Sequence, residues 1–465
     1  MEIKVCPQFI PELDPGFLPS VLWNREYRKQ VAASGRAVKI IIALTRSIGT
    51  VSTFETAIFP HEGEYRDLNV KYVERMVKSL LWTKGGYKIT LAGCDELAKD
   101  ISKIYSATGA RAFDYDIMGV KIYGHPMEVV SCSLEEAPAS NEISVKLGGN
   151  MDGCRIGFDL GGSDRKCAAV IDGETVFTEE ITWDPYFEKD PEYHKAGIRD
   201  SIRRAAEKLP KVDAIGGSAA GVYVNNQPRV ASLFRGVDQS LWAEHVIPIF
   251  DEIQEEYNVP LQVANDGDVT ALAGSMAMNS NGVLGIAMGT SEAVGYVNLD
   301  CNITDWLNEL AFSPVDYRDD APRDEWSGDV GCGAQYFSQQ AVGRLAPAAG
   351  FDFPADMPLP ERLVKVQEKM AEGDERAAKI YQTIGVCFGY GIAQYAEFYD
   401  IRLLLVLGRV SSGKGGDLIL QTARQVLDKE FPEIAENIEF RTPDEKFKRH
   451  GQAVIAASLP SLIEN

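Results

Sequence analysis

Ile156-Gly157-Phe158-Asp159-Leu160-Gly161-Gly162-Ser163-Asp164-Arg165-Lys166 is the stretch on which the reading of this chain turns. An apolar strand ends in a carboxylate, then come two glycines and a hydroxyl. Glycines let backbone amides approach phosphate oxygens closely, Ser163 can donate to them, and Asp159 can hold a hydrated Mg²⁺. The same residues also fit an ordinary hairpin turn with a capping aspartate, since Gly-Gly turns are common. Downstream, Ala168–Ile171 and Thr175–Ile181 read as two further strands with Asp172-Gly173 as their two-residue turn.

Three more stretches extend the pattern. Gly285-Ile286-Ala287-Met288-Gly289-Thr290-Ser291 is again an apolar strand running into glycine plus hydroxyls, followed by a returning strand at 293–298. Val263-Ala264-Asn265-Asp266-Gly267-Asp268 is a strand ending in a carboxylate ahead of a helical run, 269–278. A carboxylate so placed could take a hydroxyl proton during phosphoryl transfer, or simply cap the helix. Gly408-Arg409-Val410-Ser411-Ser412-Gly413-Lys414-Gly415 has the GxxxxGK spacing of a Walker A loop between a strand and a helix. Gly415 stands where that loop needs a Ser or Thr, and no strand with a second metal-binding aspartate follows. The Walker reading is therefore the weaker one. Glu309 can be a polar cleft contact or, on the residues alone, just a helix-end carboxylate.

The organisation is α/β. Residues 1–150 alternate strand-like runs (38–44, 87–92, 120–123) with helical ones (71–81, 95–106), and the polar, turn-rich stretch 133–153 predicts a boundary. Beyond it, helices are expected at 197–208, 239–257, 334–345, 359–371, 375–399, 418–429 and 451–459. Further strands are expected at 214–216, 261–264 and 403–407. A chain of 465 residues predicts two to four domains. We divide it into 1–150, an accessory N-terminal α/β or α+β domain, then 151–272 and 273–465.

Composition excludes several classes of function. With 45% hydrophobic and 25% charged residues the chain is globular rather than disordered or fibrous. Its net charge of −21 falls wholly beyond residue 150, because residues 1–150 hold 18 basic and 18 acidic side chains. That disfavours nucleic acid and anionic membrane as partners. It also means that a phosphate site must rely on backbone amides and a divalent metal. The eight cysteines form no CxxC pair and there are five histidines, so a disulfide framework or structural zinc is not expected. The N-terminus lacks the apolar core of a signal peptide, and a cytoplasmic location is expected.

Taken in order, a phosphate turn, a strand-end aspartate, a second phosphate turn and a late glycine-rich turn resemble the sugar kinase/actin/heat-shock-70 ATPase superfamily. Within it, residues 154–465 resemble the ROK family of bacterial sugar kinases and repressors. The likeness lies in DLGGSDRK (159–166), VANDGDVTALAG (263–274), GIAMGTS (285–291), ELAFSPVDY (309–317), GCGAQYFS (331–338), LGRVSSG (407–413) and GQAVIAA (451–457). The resemblance implies two RNase H-like (actin-like ATPase) lobes around a central cleft, with the C-terminal helix packing back on the first lobe. It implies ATP and Mg²⁺ as cofactors and a small-molecule sugar or polyol as acceptor, and leaves room for a homodimer.

By position, Asp159, Gly161, Gly162, Ser163 and Lys166 would form the first phosphate loop, with Mg²⁺ held by Asp159 through water. Gly289, Thr290 and Ser291 would form the second, and Gly408, Arg409, Val410 and Ser411 would border adenosine. Asp266 would be the general base, with Asn265, Glu309 and Gly221 touching the sugar. The chain departs from the family where Glu-x-Gly-His becomes Glu309-Leu310-Ala311-Phe312. It departs again where the zinc loop shrinks to Cys332 and where a sugar-binding glutamate becomes Ala334. A zinc site is therefore not expected. The alternative is a non-catalytic sugar- or nucleotide-binding regulator on the same scaffold.

Overall fold

A computed structural model describes residues 2–46, 49–145, 147–442 and 445–462. The chain is α/β and divides into two compact units. One comprises residues 1–143, 286–294 and 305–441, and the other 144–285, 295–304 and 442–465. No helix among the described residues is long and apolar enough to cross a membrane.

The second unit is built on the strand Cys154–Leu160, whose seven residues are all buried. A strand covered on both faces must be apolar throughout, and this one is broken only by Arg155 and Asp159. It lies in a five-stranded sheet of order Leu261–Asn265, Ala214–Ala219, Cys154–Leu160, Asp164–Ile171, Glu174–Thr182. The first three run parallel and the last two are antiparallel hairpins. Asp172 and Gly173 both take positive φ, 46° and 84°, as the tight turn between the hairpin strands requires.

The helix Pro191–Ala206, capped by Asp190 and opened by proline, buries Ile198, Ile202 and Ala205 against the sheet. On the sheet's backbone lies the terminal helix Glu445–Ala457. A methyl at Gly157 or Gly216 would collide with the carbonyls of Ala453 and Ala456, so only glycine admits this approach.

In the first unit, a four-stranded sheet of order Val51–Ile58, Val38–Thr45, Lys88–Ala92, Glu128–Cys132 carries the helix Arg66–Lys84. The helices Glu375–Tyr395 and Gly413–Glu430 cross closely, because Gly385 and Gly389 leave room for Ile419, Thr422 and Val426. The strand Leu403–Leu407 pairs in parallel with Glu439–Arg441. N-terminal residues are tied to the later segment by the Arg28–Glu397 pair and by Asp14, which accepts from Arg318 and Arg344.

Several expected elements differ. Residues 120–123 lie in the helical run Tyr115–Tyr123 rather than a strand, because Gly119 lets the backbone of His125 and Met127 fold back onto it. The expected helix 239–257 is broken at Pro248, whose ring supplies no N–H, and a regular helix runs only from Ile249 to Tyr257. The helix expected from 334 begins at Gln339, where Ser338 caps it. That expected from 418 begins at Gly413.

Candidate functional site

In the sheet of the second unit, register brings the chemistry together. Asp159 pairs with Ser218 on the neighbouring parallel strand, and Asn265 pairs with Ala219 on the next. All three strands finish at one edge, which is where parallel α/β sheets gather their ligand-binding groups.

Asp159 is almost fully buried; its Oδ1 accepts from Ser218 Oγ at 2.7 Å and its Oδ2 from Lys166 Nζ at 3.3 Å. Burial raises its carboxyl above the ordinary range, outweighing the opposite pull of Lys166 and Ser218. Lys166 also meets Asp164 Oδ1 at 2.9 Å. Burial works against its charge, yet the two carboxylates hold its ammonium above the usual lysine range.

Asp266 opens the helix Asp266–Met278. The cap is Asn265, whose Oδ1 accepts from Gly267 N at 2.7 Å while its Nδ2 donates to Gly221 O, also at 2.7 Å. Gly221 has φ of 124°, a conformation open to glycine. Desolvation, reinforced by the Asp159 charge, pushes the Asp266 carboxyl up to about 6. Gln452, from the closing GQAVIAA stretch, donates to Thr270 Oγ1 at 2.6 Å and to Asp266 O at 3.4 Å.

The turn that follows Asp159 is tight: Gly161 N donates to Asp164 O at 2.9 Å. Gly162 is half-buried and Ser163 exposed, and among the described residues neither backbone amide has a hydrogen-bond partner. Thus Asp159, Gly161, Gly162, Ser163, Lys166, Gly221, Asn265 and Asp266 lie together on the carboxyl edge of one sheet.

The remaining predicted residues belong to the first unit. Gly289 N donates to Ser291 O at 3.0 Å, closing the second glycine turn and leaving Thr290 and Ser291 exposed. Gly408 packs onto Met288 with φ of 102°, where any side chain would collide, and Val410 N donates to Met288 O at 3.1 Å. The two turns are therefore neighbours. Gln367 Nε2 donates to Arg409 O at 2.7 Å, and Ser411 Oγ to Gly408 O. Beside them a cavity of 380 Å³ is lined by Gln367, Met370, Tyr381 and Gly413 to Gly415. The buried Tyr381 hydroxyl has no partner among the described residues.

Glu309 is half-buried, and its N–H donates to Trp82 O at 2.9 Å. Phe312 and Ala334 are held by packing. The Phe312 ring lies tilted 4.4 Å from that of Trp82 and 5.6 Å from that of Phe113, while Ala334 and Cys332 are buried. Among the described residues no three His, Cys, Asp or Glu side chains gather to hold a metal.

Reading the sequence missed four residues of note. Ser218 could have been found from register opposite Asp159. Gln452 lies in a stretch quoted only for its likeness. Trp183 donates from Nε1 to Gly161 O at 2.7 Å and from its backbone N to Ser163 O at 3.2 Å. Glu292 directly follows the second turn; it is buried, with Oε1 accepting from Tyr395 Oη at 3.1 Å and Oε2 without a partner among the described residues. A methyl at Gly333 would collide with Oε2. Burial, with a further push from Glu309, raises the Glu292 carboxyl to about 8.

No protein-family model matches the chain, and no curated protein matches it in sequence. Solved structures share its fold. A ROK hexokinase from Thermus thermophilus is 18% identical, with 66% of this chain and 97% of that one covered at a TM-score of 0.52. A ROK family transcriptional regulator, a homologue of the E. coli MLC protein, is 17% identical, with 66% and 79% covered at 0.52. The expected ROK-type α/β fold is therefore borne out over 66% of the chain. The fold is shared by a kinase and by a regulator.

Proposed function

We propose that this protein is a ROK-type kinase of the cytoplasm, transferring the terminal phosphoryl group of ATP to a hydroxyl of a sugar or polyol. The observation that carries the reading is the pair of carboxylates at one sheet edge, at the ends of the two strands that flank Ala214–Ala219, beside a glycine turn whose Gly162 and Ser163 amides have no partner among the described residues. Asp266 is the general base. Its carboxylate accepts the proton as the hydroxyl oxygen attacks the γ-phosphorus in line, the bond to the β-phosphate oxygen breaks, and ADP leaves. A carboxyl titrating near 6 is ionised at neutral pH, yet basic enough to take that proton.

The Gly162 and Ser163 amides and the Gly289–Ser291 turn are suited to phosphate oxygens. The cavity beside Gly408–Gly415 is suited to the purine. Both oxygens of Asp159 are engaged by Ser218 and Lys166, so this donor set fits Mg²⁺ held through water rather than bound directly. When bound, the ion supplies neutralisation of the triphosphate charge.

A second reading, a sugar- or nucleotide-sensing regulator, is favoured by Phe312. It is locked between aromatic rings where the family's sugar- and zinc-binding histidine stands. ADP release from Mg·ATP against hexoses, amino sugars and polyols separates the two. The kinase reading expects acceptor-dependent turnover that falls at least about a thousandfold in Asp266→Asn, within the range for loss of a general base and the fixed charge beside it. Nucleotide binding without turnover on any acceptor would move the assignment to the regulator.

A further inference from the structure

Besides the Gly161 N–Asp164 O bond that closes the first glycine turn, Trp183 holds that turn from outside it. This side chain is 7% exposed, stands one residue past the strand Glu174–Thr182, and rests its ring on Gly197, where a methyl would crowd it at 3.1 Å. Its indole N–H reaches the Gly161 carbonyl at 2.7 Å, and its own backbone N–H reaches the Ser163 carbonyl at 3.2 Å. Both bonds end on carbonyl oxygens of the turn.

A trans peptide points its N–H opposite its C=O. Drawing the Gly161 carbonyl toward the indole therefore turns the Gly162 N–H away from it, toward the open side of the turn. Holding the Ser163 carbonyl fixes the following peptide in the same manner. Without the indole donor, the Gly161–Gly162 peptide would be free to rotate, because two consecutive glycines oppose it with little steric resistance. The neighbouring connection braces the same place: the Tyr186 phenol lies against Gly162, and Arg235 stacks 4.2 Å from the Tyr186 ring centre.

We infer that Trp183 is a positioning residue that presets the Gly161–Ser163 turn as an anion receptor, aiming the Gly162 amide at the polyphosphate of a bound nucleotide. This rests on the kinase reading for the identity of the ligand, but the preset turn itself requires only a polyphosphate. A receptor fixed before binding avoids the ordering cost that a mobile glycine pair would bring at each encounter.

The test is calorimetric titration of the unaltered protein and Trp183→Phe with Mg·ATP, Mg·ADP, AMP and inorganic tripolyphosphate. The phenyl ring keeps an aromatic body against Gly197 but carries no donor. The expected result is about a tenfold loss for Mg·ATP and tripolyphosphate, with AMP affinity changed less than twofold. In turnover, the KM for Mg·ATP should rise by a similar factor with the KM for the acceptor unmoved. A merely structural role would weaken all ligands together or lower the melting temperature alone, and that outcome overturns the inference. If Trp183→Phe fails to fold, benzothienylalanine at position 183 keeps the bicyclic shape while placing sulfur where the N–H was, and the same ratios apply. Binding of neither Mg·ATP nor tripolyphosphate by the unaltered protein would overturn both the kinase reading and this inference. Normal binding with an unchanged ATP-to-AMP ratio in the variant would overturn this inference alone.

Discussion

Two clusters of buried charge, one in each unit, show how differently a protein can hold ionised groups. In the first unit Glu74, Asp114 and Asp329 meet Arg75, Lys78 and Arg111. Lys78 Nζ lies 3.1 Å from Asp114 and 3.2 Å from Asp329, and Trp82 Nε1 donates to Asp114 at 2.6 Å. Three anions face three cations. Although burial opposes it, Lys78 and Arg75 hold the Asp329 carboxyl below its ordinary range. In the second unit Lys166 pairs with Asp159 and Asp164, while the buried Asp266 faces the Asp159 charge, and burial pushes both Asp159 and Asp266 upward. In the first cluster every carboxylate has a cation partner, although burial still raises Glu74. The second is left with surplus negative charge beside a turn whose Gly162 and Ser163 amides have no partner among the described residues, the condition in which a divalent metal adds favourable energy and the amides are left for an anion.

That contrast predicts opposite responses to removing one charge. Lys78→Met leaves the buried Asp114 without its cation and takes one of three from Asp329, so unfolding of the first unit should become easier by about 3–5 kcal/mol. Asp266→Asn removes the carboxylate whose ionised form the fold disfavours. Its melting temperature at pH 8 should therefore equal or exceed that of the unaltered protein, even though turnover is lost. Thermal and urea unfolding of both variants is the check. A silent Lys78→Met, or an Asp266→Asn that destabilises as strongly, would erase the distinction.

The sequence disclosed the second cluster far better than the first. Asp159 and Asp266 stand at strand ends next to glycine, a local signal that survives in one dimension. Asp329 lies more than two hundred residues from Arg75 and Lys78, and nothing in its neighbours Gly328 and Val330 announces the pairing. The same holds for residues 1–143. Their strands and helices at 38–44, 71–81 and 95–106 were legible from periodicity, whereas their contacts with 305–441 through Asp14 and Arg28 were not. Ser218 and Trp183 depend on register and on a hydrogen bond between residues 22 positions apart, which composition does not encode. Helix boundaries at Pro248 and Ser338 followed ordinary breaker and cap chemistry that the apolar pattern had overridden.

Glu292 offers a gentler test of incomplete compensation, now within the first unit. Its folded carboxyl titrates near 8, well above an unfolded glutamate. The folded state therefore holds a proton that the unfolded chain has already released. The stability contributed by that proton is full below about pH 4.3, the unfolded value, and declines as pH rises toward 8. The loss should approach ~1.4 kcal/mol per pH unit within that window. Glu292→Gln keeps the acceptor for Tyr395 and cannot ionise, so its stability should be flatter between pH 5 and 8. Denaturant midpoints across that range measure the difference, and parallel curves for the two proteins would show that Glu292 does not titrate there.

The smallest effect should come from the residue that a motif search would favour most. Lys414 occupies the lysine position of a Walker-like spacing, at the start of the helix Gly413–Glu430. Its side chain is exposed and donates to the Ala371 carbonyl at 3.3 Å. An exposed lysine on the rim of the cavity adds general attraction that salt screens, typically well under 1 kcal/mol. Lys414→Ala should therefore weaken Mg·ATP by no more than about threefold, and 0.5 M salt should remove most of that difference. Asp159→Ala should be severe at every ionic strength, because its carboxylate is buried against Lys166 and Ser218. If the ranking reversed, with Lys414→Ala abolishing nucleotide binding and Asp159→Ala tolerated, the phosphate site would lie at Gly408–Gly415. The surplus charge at the Asp159 edge would then need another explanation.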